Sequence, residues 1–81
     1  MRIDKFLNCV NLVKRRAIAE DMCKSGVVSI NDIVVKPARK VKVGDIVELR
    51  YLDRVKKYEI LTIPTTKNTP KSEQEIYIKE I

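Results

Sequence analysis

The spacing of apolar residues changes period at Gly26, and that change constrains the fold more than any other feature of this 81-residue chain. Before it, Ile3, Phe6, Leu7 and Val10 stand at i, i+3, i+4 and i+7, one face of a 3.6-residue helix. Arg2, Asp4 and Lys5 fill the remaining surface, and Asn8 and Asn11 suit a turn into the next element. A second helix is predicted from about Lys14 to Lys24, with Ala19, Met22 and Cys23 as its buried stripe and Ile18 at one edge. Gly26 then supplies the left-handed stop that helices favour. Two amphipathic helices joined by a few residues form a hairpin.

After Gly26 the apolar residues alternate. Val28-Ser29-Ile30 reads as a strand, Asn31-Asp32 as a turn and Ile33-Val34-Val35 as the returning strand. Asn-Asp is a weaker hairpin signal than Asn-Gly, because Asp tolerates positive φ less well than glycine does. Residues 36–40 make a basic loop in which Pro37 ends the strand, and Gly44-Asp45 marks another turn. Ile46–Tyr51 and Lys57–Leu61 are two further strand candidates, joined across Asp53-Arg54. Residues 63–71 are polar and interrupted by Pro70, and are expected to link a first domain, residues 1–62, to a tail of residues 72–81. In that tail Ser72-Glu73-Gln74-Glu75 has capping-box spacing and favours a short helix, whereas Ile76-Tyr77-Ile78 alternates like a strand. Helix is the preferred expectation.

Charge separates the two halves of the chain. Residues 1–44 hold ten basic and four acidic side chains; residues 45–81 hold seven of each, so the whole net charge of +6 sits in the first half. A field concentrated in this way suits a polyanion, whereas charge kept for solubility alone has no reason to cluster. The chain has no histidine, and Cys9 and Cys23 lie far apart without clustered partners, so neither a metal site, a cofactor nor a catalytic residue is expected. Both cysteines read as reduced, core-facing thiols of a cytoplasmic protein, and no apolar run reaches membrane-spanning length. Phe6, Tyr51, Tyr58 and Tyr77 are too few for a surface that reads single strands by stacking.

The candidate functional cluster is Lys14, Arg15 and Arg16 in the first turn of the second helix. Cations are unfavourable there, by a few tenths to about 1 kcal/mol each, because the helix dipole and unpaired N–H groups favour negative charge. A docked phosphate reverses that penalty by accepting from N–H groups and guanidinium forks together. A solvated charged face is the alternative. Arg2 and Lys5 lie on the polar side of the neighbouring helix. Lys36, Arg39, Lys40 and Lys42 flank a turn and form either a second rim or a solvated loop. Asp4 is expected to orient Arg2 or Arg16; no second carboxylate is spaced to work with it as an acid–base pair.

Four blocks carry a resemblance: Arg2-Ile3-Asp4-Lys5-Phe6-Leu7, Arg15-Arg16-x-x-Ala19, Gly26-x-Val28-x-Ile30-Asn31 and Val43-Gly44-Asp45-Ile46-Val47. In this order and spacing they resemble the RNA-binding domain named for small-subunit ribosomal protein S-four, the alpha-L motif. Leu12-Val13-Lys14-Arg15-Arg16 is most similar to its short members, the bacterial heat-shock ribosome-associated proteins and the ribosome quality-control factors. The resemblance implies an α+β fold, with a two-helix hairpin packed on a small curved antiparallel sheet. It implies that the partners are large-subunit ribosomal RNA and a tRNA or peptidyl-tRNA; as the chain lacks a nucleophile–base pair or metal cluster, a non-enzymatic factor is expected, and a monomer. Arg2, Asp4 and Arg16 would be the central contacts, with Lys14 and Arg15 beside them. Two positions depart from the family: Asp32 stands where glycine is usual and Arg15 where many members have serine; the tail after Pro64 is also shorter than in the enterobacterial heat-shock type. A ribosome assembly factor, or an adaptor whose basic face meets an acidic protein, are the other functions the sequence allows.

Overall fold

The computed structural model describes residues 1–66 and 68–81. Two helices come first, α1 (Ile3–Cys9) and α2 (Arg16–Lys24), then strands β1 (Val28–Ile30) and β2 (Ile33–Val34). Strands β3 (Ile46–Arg50) and β4 (Val55–Ile60) follow, then a short helix α3 (Gln74–Tyr77) that runs directly into β5 (Ile78–Glu80). The strands form one antiparallel sheet in the order β2-β1-β3-β4-β5. This is the α+β architecture expected, a helical hairpin on an antiparallel sheet.

Alternation along the strands decides which sheet face meets the helices. Val28 pairs with Leu49 and Ile30 with Val47, and Val47 pairs in turn with Tyr58. All five side chains are buried, together with Ile60 and Ile78 farther along the sheet. Between them on β3, Glu48 and Arg50 point to the other face and form an ion pair at 3.5 Å. From the helical side Ile3, Phe6, Leu7 and Val10 close the core as the 3.6-residue spacing requires, joined by Ala19 and Cys23 of α2. Transfer of one such aliphatic side chain from water contributes about 1.5–3 kcal/mol, so this shared core is the main source of stability.

Local geometry departs from the sequence expectations in several places. The second helix begins at Arg16 rather than Lys14, since Arg15 has extended φ and ψ and occupies the N-cap. Ile18, expected at the edge of the buried stripe, is 47% exposed, because α2 turns only Ala19 and Cys23 fully inward and Met22 partly so. Asn31 and Asp32 both adopt positive φ, 51° and 68°, so the weak turn signal makes a tight hairpin nonetheless. Tertiary contacts support that turn: the Asn31 carboxamide donates to Asp45 Oδ1 at 3.2 Å, and its oxygen accepts the Ile46 N–H at 3.0 Å.

The tail holds both conformations that its sequence suggested. Residues 74–77 are helical, after a 3₁₀ turn at Lys71–Glu73, and Ile78–Glu80 pair with Tyr58–Ile60 of β4. Much of the stretch read as a linker is tied down: Pro64 and Thr69 are buried, and Thr69 is hydrogen-bonded to Cys9. Lys67, which belongs to that stretch, lies outside the described residues.

Candidate nucleic-acid interface

Asp4 sits in the first turn of α1, where the helix dipole favours a carboxylate. It is completely buried, yet its Oδ2 lies 3.1 Å from Arg2 Nη2 and 3.5 Å from Arg16 Nε, and its Oδ1 accepts the Lys5 N–H at 2.8 Å. One carboxylate therefore holds two guanidinium groups, one from the N-cap of α1 and one from the first residue of α2. The Arg2 and Arg16 side chains remain 45% and 48% exposed. Their inner edges face Asp4 and their outer edges face solvent. Five N–H donors in a rigid fork leave each guanidinium free to engage a second anion without leaving the first.

The basic loop is fastened to the same end of α1. The Ile3 N–H donates to the Arg39 carbonyl at 2.7 Å and the Asp4 N–H to the Pro37 carbonyl at 3.5 Å, while Val41 N–H donates back to Met1 at 2.9 Å. Arg2 and Lys40 form an antiparallel bridge. These bonds place Lys36, Arg39 and Lys40, all exposed, beside Arg2. Lys42 stands at the edge of this loop, in the Gly44 turn, where its N–H donates to the Asp45 carboxylate at 2.9 Å. Lys5 is half-buried beside Asp4 on α1.

Lys14, Arg15 and Arg16 are exposed and lead into α2, which has no side-chain cap. Arg15 in place of a hydroxyl residue removes that cap; the Ile18 N–H turns to the Arg15 carbonyl at 3.1 Å, and the N–H groups of Arg16 and Ala17 are left for an outside acceptor. The approach to this segment is shaped by Asn8. Its carboxamide donates to the carbonyls of Val13 at 3.1 Å and Lys14 at 3.0 Å, and so folds the chain over the end of α1. The sequence marks Asn8 only as a turn former; an asparagine five and six residues ahead of the carbonyls it binds gives no stronger signal. Asn11 completes the bend with φ of 66°.

Glu20 lies one turn along α2 and is held below the usual carboxylate range by its hydrogen bond and ion pair with Lys24 at 2.9 Å, with Arg2 and Arg16 acting in the same direction. Behind the patch, burial pushes the Cys23 thiol up to about 11, reinforced by the negative charges of Asp4 and Glu20. Burial also raises Cys9, against the charge of Lys5. Both are free thiols, and their protonated form disfavours nucleophilic chemistry. Among the described residues no cluster of three His, Cys, Asp or Glu side chains is placed to hold a metal ion. No described helix is long and apolar enough to cross a membrane.

Comparison with protein-family profiles matches the S4 domain over residues 1–47, the segment that contains both helices, the basic loop and the Gly44 turn. The chain belongs to the S4 domain family. Over 78 residues it is 51% identical to the RQC P-site tRNA stabilizing factor of Helicobacter pylori, a match covering 96% of this chain and 93% of that protein. Among solved structures, Vibrio cholerae heat shock protein 15, described as trimeric, superposes with a TM-score of 0.90 at 27% identity, over 100% of this chain and 81% of its own. The solution structure of a hypothetical protein gives a TM-score of 0.87 at 47% identity, covering 100% of this chain and 96% of the other. The S4 domain is the resemblance that the four sequence blocks carried, and its short ribosome-associated members are the one that Leu12–Arg16 carried.

Proposed function

We propose that this S4 domain protein is a non-enzymatic RNA-binding factor of ribosome quality control. It docks on large-subunit ribosomal RNA and holds a tRNA or peptidyl-tRNA in place while an obstructed nascent chain is dealt with. The carrying observation is the arrangement at Asp4. A carboxylate buried at the helix junction is costly unless paired, and here it fixes two half-exposed guanidinium groups from different elements side by side. Lys14, Arg15, Lys36, Arg39 and Lys40 extend that pair into a basic surface; Lys5 and Lys42 contribute at its margins. The H. pylori relative, named as a P-site tRNA stabilizing factor, supports the same function for this chain.

A-form grooves give side chains little access to base edges, so the surface recognises folded RNA through shape and phosphate position. It works in the cytoplasm as a monomer. Arg16→Ala tests this reading on purified large ribosomal subunits. Affinity falls and its salt dependence flattens by about one unit of log K against log salt, one phosphate contact's worth. Helical circular dichroism stays unchanged, because Arg16 is half-exposed. Wild-type co-sedimentation of this variant overturns the site assignment, and binding that survives nuclease treatment points to a protein partner instead.

A further inference from the structure

The segment beyond the S4 match is fastened to the junction from which the basic triplet emerges. Thr69, 6% exposed, donates its hydroxyl to the Cys9 carbonyl at 2.8 Å, and its N–H points at the same oxygen at 3.3 Å. The Asn11 carboxamide donates to the Thr69 carbonyl at 2.8 Å, and the Gln74 carboxamide donates to the Val10 carbonyl at 2.8 Å. Cys9 ends α1 and Val10 is its C-cap, so these carbonyls belong to the set that a helix terminus leaves without intrahelical partners. On the other side of the bend, Leu7 accepts the N–H groups of Leu12 and Val13, both at 3.0 Å, and Asn8 binds Val13 and Lys14. The bend is held from within by α1 and from without by the tail. Lys14 follows it directly.

We infer that Thr69 and Gln74 are positioning residues for RNA binding: they brace the α1–α2 junction and thereby set where Lys14, Arg15 and Arg16 meet the RNA. The inference rests on the RNA-binding reading above. Only six residues, 10–15, join the two helices, and Asn11 among them holds a left-handed conformation. Leu7 and Asn8 hold the inner side of this bend and Thr69 and Gln74 its outer side, so loss of the outer partners widens the range it can sample. Charged groups that engage several phosphates at once must be held to about half an ångström, or contacts are made in alternation and not together. The brace supplies that confinement from residues that carry no charge and lie outside the S4 match.

The test uses the full chain carrying Thr69→Val and Gln74→Leu, which remove both side-chain donors at nearly constant volume. Its probes are purified large ribosomal subunits and amide hydrogen exchange. Exchange at Asn11, Leu12 and Val13 quickens while Val47 and Leu49 in the sheet keep their protection. Subunit affinity falls about tenfold, with a shallower salt dependence. Thr69→Ser, which keeps the hydroxyl, binds like wild type. Wild-type affinity in the double variant despite faster junction exchange overturns the inference, as does unchanged junction exchange. Equal loosening of junction and sheet also overturns it, by showing general destabilisation. Arg16→Ala on the same subunits separates the two readings: if it too binds like wild type, the RNA-binding reading has failed and not the brace alone.

Discussion

Replacing Asp4 by asparagine separates two accounts of the basic surface that otherwise agree. If net positive charge alone drives binding, Asp4→Asn raises the charge from +6 by one unit and tightens the complex. If Asp4 orients the guanidinium groups of Arg2 and Arg16, binding weakens despite the added charge. The structure supports the second. Asparagine preserves the shape and still accepts the Lys5 N–H, but exchanging a charge-assisted bond for a neutral one costs about 1 kcal/mol. The ion pairs at 3.1 and 3.5 Å have half-exposed partners that water can resolvate, so each contributes only about 0.2–1 kcal/mol. Relief from burying a carboxylate offsets part of this loss. A net destabilisation of about 1–2 kcal/mol results, a fall in Tm of about 4–16 °C for a domain of this size. The chain therefore stays folded at room temperature while two cations lose their common anchor. Binding to large subunits, titrated at several salt concentrations, weakens about tenfold and loses about one unit of salt slope. Tighter binding with a steeper slope refutes the orienting role and leaves charge alone.

Two further predictions concern the turn and the thiol. At Asp32, with φ of 68°, glycine should be most stable and alanine least, with Asp between and a total spread of about 1–2 kcal/mol. Urea unfolding of Asp32→Gly and Asp32→Ala ranks them, and an alanine variant as stable as glycine contradicts the left-handed turn. Cys23 is protonated in folded and unfolded chains below its ordinary value of 9.0; from there to about 11 the unfolded chain loses its proton first. Folded protein then binds more protons, so rising pH removes on the order of 2 kcal/mol of stability. The stability gap between wild type and Cys23→Ala narrows across this window, and a constant gap rules the shift out.

Different kinds of residue were legible to different degrees. The helical hairpin was readable because Ile3, Phe6, Leu7 and Val10 bury one face, and burial imprints its period on a sequence. The strands were readable for the same reason, since Val47 and Leu49 alternate with Glu48 and Arg50. Ile18 misled because an apolar residue at the stripe's edge is compatible with either side of the helix boundary, and only packing against α1 and the sheet decides. The tail resisted a single description because capping and alternation act on adjacent residues, and pairing with β4 claims Ile78–Glu80 alone.

By itself, then, the sequence determined the order of the elements, the faces they bury and the concentration of charge in the first half. These follow from local spacing, which the chain carries wherever it folds. Tertiary structure decided that Asp4, expected to orient Arg2 or Arg16, holds both at once, that the loop of Lys36, Arg39 and Lys40 is a rim beside them and not a separate loop, and that Thr69 and Gln74 reach back to the end of α1. Each is a meeting of residues distant in sequence or on separate elements, set by which hydrogen-bonding groups the closed core leaves within reach of one another. The spacing of one segment carries no record of it.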